Sequence, residues 1–490
     1  MDFKTIILMM LPILVSACAA DTESGSKKLP REQVAVFTST DIKLQKSYEW
    51  ARKTALSYTH DGADPVGLWY DAAYPNRESF CMRNVAHQSV GAQILGLTPH
   101  NKNMFSRLVE NISEGKDWCG YWEINRYNKP TPADYSNDRE FWYNLGANFD
   151  VLQACLKMYR WTGDEDYVSD RRFADYYGKS INEYVKRWCL SPEDIMSRSP
   201  YMNYGRNFDL NNKFHTCRGI PSYEEEIPDI AVGVDLIAAL YAGFKSAGEF
   251  AGATGNDSIA GHTENLAAGY RQLLEEKWWD AGKSCYHSHM LSDGKMESGN
   301  VYPYVLWFGA TDDERRQKQI LSDIRDREWT VEYLTYFPAL FYHHGYISEA
   351  YDYLTILPTN SSSHYPEVSF GIIEGCVCGA MGFNPDYKSR RVATAHKCLD
   401  DSTISEIRNV RVFDGYMSVL HSGIESTELS NDTSVDVEWE AAFKGDYAYI
   451  ESGGSLYPAE THTDLKGNVF SKALIPVAAN AKVRAEVVRI

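Results

Sequence analysis

Three acidic stretches carry the chemistry that this sequence can do. Residues 137–140 read Asn-Asp-Arg-Glu, residues 223–226 read Tyr-Glu-Glu-Glu, and residues 364–367 read His-Tyr-Pro-Glu. Each lies at, or shortly before, the start of a segment with helical periodicity. Cleavage of a glycosidic bond needs two separated carboxyl groups, one to protonate the leaving oxygen and one to act as base or nucleophile. The candidates are Glu224, Glu367, Glu140 and Asp138. Structural duty competes with this reading. Asn137 with Glu140 three residues on is a capping-box pattern, and Glu367 behind Pro366 suits the first turn of a helix through the macrodipole. Glu224 stands in a loop several residues ahead of the next helix, where capping is unnecessary. The preferred pair is therefore Glu224 with Glu367, Glu224 assigned as acid and Glu367 as base, with the reverse assignment left open.

Groups suited to holding a sugar cluster near these carboxyls. Sugar rings stack on aromatic faces, and their hydroxyls need donors and acceptors. Trp69, Tyr70, Trp122, Trp142, Tyr143 and Tyr223 sit in or beside loops at helix starts, and long aromatic loops cover 115–135 and 191–227, the latter with Tyr201, Tyr204 and Phe208. Arg83 and His87 are four apart and share a helix face; with Gln88 they are the candidate polar contacts of one cleft.

Elements able to position these residues are easily found. Trp142, Leu145, Phe149, Leu152, Leu156 and Tyr159 recur at gaps of three and four, so a buried helix is expected over 140–162. Similar periodicity predicts helices over 41–60, 81–96, 101–114, 166–188, 229–254, 257–279, 301–308, 312–325, 337–357 and 366–381. Near Cys398 the pattern changes to short alternating runs separated by turn residues, as in 410–413, 416–420, 434–439, 447–450 and 483–488. The expected organisation is a helical domain over 41–398 and a small antiparallel β-sandwich over 399–490.

Composition narrows the partners. A net charge of −18 and a pI near 5.2 argue against nucleic acid. Residues 1–17 have the make-up of a secretory signal, and Val-Ser-Ala-Cys at 15–18 is lipobox-like, so Cys18 is the expected lipid anchor, with a linker over 18–40. The expected location is outside the cytoplasm, tethered to a membrane and facing the periplasm or cell surface. Of ten Cys, none forms a repeated CxxC pair; most are expected as buried thiols. Cys376 with Cys378, and His287 with His289, lack further partners at ligand spacing. Neither metal nor cofactor is expected.

Four segments together carry a family resemblance: 80–88 (Phe-Cys-Met-Arg-Asn-Val-Ala-His-Gln), 138–150 (Asp-Arg-Glu-Phe-Trp-Tyr-Asn-Leu-Gly-Ala-Asn-Phe-Asp), 219–224 (Gly-Ile-Pro-Ser-Tyr-Glu) and 365–370 (Tyr-Pro-Glu-Val-Ser-Phe). They resemble the six-hairpin glycosidases of gut Bacteroides-type bacteria over about residues 42–398. The resemblance implies a mainly α, (α/α)6 toroid with an appended β-domain, and an exo-acting, inverting glycoside hydrolase. Asn84 departs from the pattern, in which Asp commonly follows the Arg of the first segment. The same toroid hosts polysaccharide lyases and unsaturated uronyl hydrolases, and a non-catalytic glycan-binding lipoprotein is a further alternative.

Overall fold

The computed structural model describes residues 34–74, 76–199, 218–225, 227 and 229–489. The expected signal, Cys18 and most of its linker lie outside these residues, as do Tyr201, Tyr204 and Phe208.

Twelve principal helices among the described residues alternate between two kinds of burial. Met82–Ile94 buries ten of thirteen residues and Val234–Ala253 fifteen of twenty, whereas Asp257–Leu273 and Glu314–Arg325 bury three each. A helix apolar on all sides is enclosed by others, and one with a single apolar stripe lies outside. The inner set is Met82–Ile94, Ala147–Thr162, Val234–Ala253, the short Tyr304–Trp307, Phe337–His343 and Pro366–Glu374. The outer set is Ile42–Ser57, Thr98–Val109, Arg171–Lys179, Asp257–Leu273, Glu314–Arg325 and Ile347–Ile356. Met82–Ile94 packs between Ala147–Thr162 and Pro366–Glu374, and Ala147–Thr162 packs in turn on Val234–Ala253. The approach is close: a Cβ on Gly91 would strike the Phe370 carbonyl, and one on Gly243 would strike the Phe149 ring.

The helical periodicity overran several ends. The helix expected from 140 begins at Ala147 after Gly146, and residues 140–141 and 143–144 are instead short strands. The segment expected as one helix over 337–357 is two, turned at Gly345 with φ +85°. Short strands also occur within the loop expected over 191–227, at Arg218–Ile220, and at the start of the helix expected from 229, at Ile230–Gly233. Runs this short leave no period-two signature.

Two sheets form the β unit. One has seven strands, in the order Val36–Ser39, Ile404–Val412, Gly415–Ser422, Ser426–Asp432, Ala481–Val487, Tyr449–Ser452, Ser455–Pro458. The other has five: Asn384–Asp386, Arg391–Ala395, Val437–Lys444, Val469–Val477, Glu460–Thr463. The unit thus reaches back before residue 399 and takes its first edge strand from before the helical part. With twelve strands in these sheets, "mainly α" describes the chain only roughly. The pairing is mixed, since Arg391–Ala395 runs parallel to Val437–Lys444. The β unit is fastened to the C-terminal ends of inner helices. Gln93 Nε2 donates to Arg411 O (3.1 Å), Phe413 N to Trp161 O (2.8 Å), and Lys397 N to Ala380 O (2.8 Å). The opposite ends stay open. All eight described Cys are free thiols, and Cys81, Cys119, Cys155 and Cys376 are buried.

Candidate active site

At the N-terminal ends of the inner helices lies a cleft of about 760 Å³, lined by Glu224, Glu367, Glu225, Glu332, Arg83, Asn84, Trp122, Trp142 and Tyr223, among others. Its walls come from segments far apart in sequence, so each needs a local reason for its position.

Arg83 and Asn84 occupy the first turn of Met82–Ile94. The preceding strand, Ser79–Cys81, pairs with Glu123–Asn125, and Met82 N donates to Trp122 O (3.0 Å). Trp122 is thereby held beside the helix start, and the Arg83 guanidinium lies 5.8 Å from its ring and 4.7 Å from that of Tyr223. Glu367 is the second residue of Pro366–Glu374, where Pro sets the helical φ and leaves no N–H to satisfy. Asn84 Nδ2 donates to Glu367 Oε2 at 2.5 Å. Gln88, with its amide oriented to satisfy both partners, accepts from Glu367 N (3.1 Å) and donates to Asn84 O (3.1 Å).

The loop carrying Glu224 is sewn to the segment ahead of Ala147–Thr162. Tyr143–Asn144 pairs in parallel with Arg218–Ile220, Leu145 N donates to Ile220 O (2.8 Å), and Asn144 Nδ2 donates to Ser222 O (2.6 Å). Buried Asp235 accepts from Tyr223 N (2.6 Å) and Ser222 Oγ (3.1 Å), and Ser222 Oγ accepts from Glu224 N (3.1 Å). The Tyr223 hydroxyl donates to Asp150. Glu224 Oε2 then lies 2.7 Å from His289 Nε2 and accepts from Asn300 N at 3.3 Å.

The two carboxyls are held in opposite states. Burial, reinforced by the negative charge of Glu332, pushes Glu367 up from 4.5 to about 7, against the Asn84 hydrogen bond and Arg83. For Glu224, burial acts in the raising direction, but the His289 contact and the Asn300 N–H outweigh it together, and its pKa is lowered. At neutral pH Glu367 retains a substantial protonated fraction and Glu224 is a carboxylate. From sequence Glu224 was assigned as acid and Glu367 as base with the reverse left open; this ordering favours the reverse, because Glu367 is buried beside another carboxylate.

Other candidates do not reach the cleft lining. Asp138 is exposed and accepts from Tyr135 OH (2.5 Å), and Glu140 lies in a strand paired with Tyr135–Asn137, so neither caps a helix. His87 points among Tyr304, Trp307 and Tyr336, with its pKa well below 6.5 through burial and Arg83. Gln88 is 1% exposed and braces Glu367 and Asn84 from behind. Trp69, Tyr70 and Tyr143 are fully enclosed: Trp69 Nε1 donates to Asp64 (2.8 Å), Tyr70 OH to Asn101 (2.7 Å), and Tyr143 OH to Asn148. Exposed ring faces are needed for stacking, and these have none.

Sequence reasoning missed Glu332, Asp150, Asp235 and His289. Glu332 had the signal used elsewhere, a carboxylate among aromatics ahead of an inner helix (Trp329, Tyr333 and Tyr336 before Phe337–His343). The others are identifiable only from their partners. Among the described residues no group of three His, Cys, Asp or Glu is arranged to hold a metal ion.

No protein-family model and no curated protein matches this sequence. Solved structures match it in shape. An α-L-rhamnosidase from Dictyoglumus thermophilum aligns with TM-score 0.59 at 11% identity, over 93% of this chain and 50% of that one. The α-L-rhamnosidase of Aspergillus terreus gives 0.54 at 11% identity over 92% and 50%, and a GH78 family rhamnosidase of Bacillus sp. GL1 gives 0.53 at 12% over 81% and 40%. This chain spans about half the length of these proteins or less. At such identities the likeness is one of fold: this chain shares the fold of the part of these rhamnosidases with which it aligns.

Proposed function

We propose that this protein is an exo-acting glycoside hydrolase whose helical part is an (α/α)6 toroid. The observation that carries the reading is the pair Glu367 and Glu224, both lining one aromatic cleft and held in opposite protonation states. Protonated Glu367 gives its proton to the glycosidic oxygen as the bond to the anomeric carbon breaks. The Glu224 carboxylate takes a proton from the water that attacks that carbon, so the anomeric configuration inverts. Trp122 and Tyr223 hold the sugar ring, with Trp142 packed behind them in the wall, and the Arg83 guanidinium lies against the Tyr223 ring. The likeness to rhamnosidases supports the reaction class by analogy of fold. The test is release of monosaccharide from plant and host glycan fractions by the purified protein, with NMR of the first-formed anomer. Unsaturated products absorbing in the ultraviolet would instead mark a lyase, and binding without any product would mark a glycan-binding protein.

The lipobox-like residues 15–18 support export and tethering through Cys18, facing the periplasm or cell surface. Cys18→Ala is expected to move the protein from the membrane fraction to the soluble one; retention in the membrane would sink the anchor. No helix of the described residues is long and apolar enough to cross a membrane.

A further inference from the structure

The cleft is unevenly charged. Among the described residues, Glu123, Glu224, Glu225, Glu332 and Glu367 line it, against two guanidinium groups, Arg77 and Arg83. Both cations already face carboxylates in the wall. Arg77 Nη1 lies 2.6 Å from Glu123 Oε2 and 3.6 Å from Asp134 Oδ2. Arg83 Nη1 lies 3.9 Å from Glu225 Oε1, with the guanidinium against the Tyr223 and Trp122 rings. Glu332, in the first turn of Val331–Leu334, is half-buried and has no cation within ion-pair distance among the described residues. Its charge is felt by Glu367, Tyr74, Tyr365 and Arg83, which places it among the groups around the acid.

An anionic sugar entering such a cleft meets more negative than positive charge in a partly desolvated space, where like charges repel most strongly. A neutral sugar brings O–H donors, which ionised carboxylates, as pure acceptors, need. Resting on the hydrolase reading, we propose that the cleft takes an uncharged sugar and turns away uronates, sialic acids and sulfated sugars, and that Glu332 accepts hydrogen bonds from substrate hydroxyls beside the scissile bond. A uronate-processing enzyme on this toroid would need a cation free to meet the carboxylate, and the two that line the cleft among the described residues are engaged.

The test uses the full chain on neutral and acidic fractions of plant and host glycans, with the released monosaccharides identified. Neutral monosaccharides are expected as the main product. A uronic, sialic or sulfated sugar as the main product would overturn the charge inference while leaving the hydrolase reading standing. No release from either fraction would sink the hydrolase reading, and this inference with it. On the neutral substrate found, Glu332→Gln is expected to raise KM by about tenfold to a hundredfold, the loss of a hydrogen bond to a charged acceptor. It is also expected to move the alkaline limb of the kcat/KM profile to lower pH, because a negative charge acting on Glu367 is gone. Unchanged KM with an unmoved limb would overturn the role given to Glu332.

Discussion

The Asn84–Glu367 hydrogen bond bears on how firmly Glu367, the proposed acid, holds its proton. A carboxylate accepting from Asn84 is stabilised in its charged form, which opposes the upward push of burial and Glu332. Asn84→Asp removes that donor and adds a negative charge beside the acid, so the alkaline limb of kcat/KM is expected to move up in pH. A downward move would show that the contact does not govern the acid. In the unaltered protein the profile is expected to fall above about pH 7, as Glu367 ionises, and to rise on the acid side through the lowered pKa of Glu224. Glu367→Gln and Glu224→Gln preserve shape and remove the ionisable group. Each is expected to lower kcat by about 10³-fold or more with sugar affinity largely retained; near-normal turnover in both would eliminate the pair. The place of Glu367 in the first turn of a helix was legible from Pro366 before it, but its protonation state was not, since Glu332 and Asn84 reach it only in three dimensions.

At the scale of elements, the site depends on how closely the inner helices pass. Gly91 carries no Cβ because the Phe370 carbonyl occupies that space, three residues after Glu367 on the facing helix. Gly91→Ala is expected to destabilise the fold by about 1–3 kcal/mol, the usual cost of overpacking. Gly252→Ala meets nothing within 4 Å near the end of Val234–Ala253, and is expected to be neutral or stabilising by up to about 1 kcal/mol. Thermal melts of the two variants decide this; equal effects would show that the helices do not cross as described. Helical periodicity was readable because it records burial. The short ladders that aim the loops, such as Tyr143–Asn144 against Arg218–Ile220, were not, because two or three residues carry no period.

For the whole molecule, several buried carboxyls hold protons more tightly folded than unfolded. Burial is the first cause for each: Glu367 rises to about 7, Asp150 to about 7 and Asp235 to about 6. Between their ordinary values near 4 and these raised ones the unfolded chain has released protons that the folded chain keeps, so stability falls as pH rises through that window. Glu367→Gln is expected to melt like the parent near pH 4 and above it at pH 8, by at most about 3 kcal/mol. A gap that narrows as pH rises would contradict the sign. The hydrogen bonds that join the two units, Phe413 N to Trp161 O, Lys397 N to Ala380 O and the Gln93 side chain to Arg411 O, predict one calorimetric transition for the described chain; two separated transitions would refute that coupling.

The sequence by itself determined most of the long helices, the change to strands near Cys398, and the acidic segments that include Glu224 and Glu367, because these are local: they depend on period, turn residues and neighbours within a few positions. Trp142, Tyr223, Glu224 and Glu367 were chosen on that basis, and the fold brings them to one cleft. Only the tertiary structure decided that Trp69, Tyr70 and Tyr143 are enclosed, that the β unit recruits Val36–Ser39, and that Glu367 is the more protonated of the two carboxyls. Burial and electrostatic partners are set by contacts between residues up to hundreds of positions apart, as Asn84 and Glu367 are, and no local pattern encodes them.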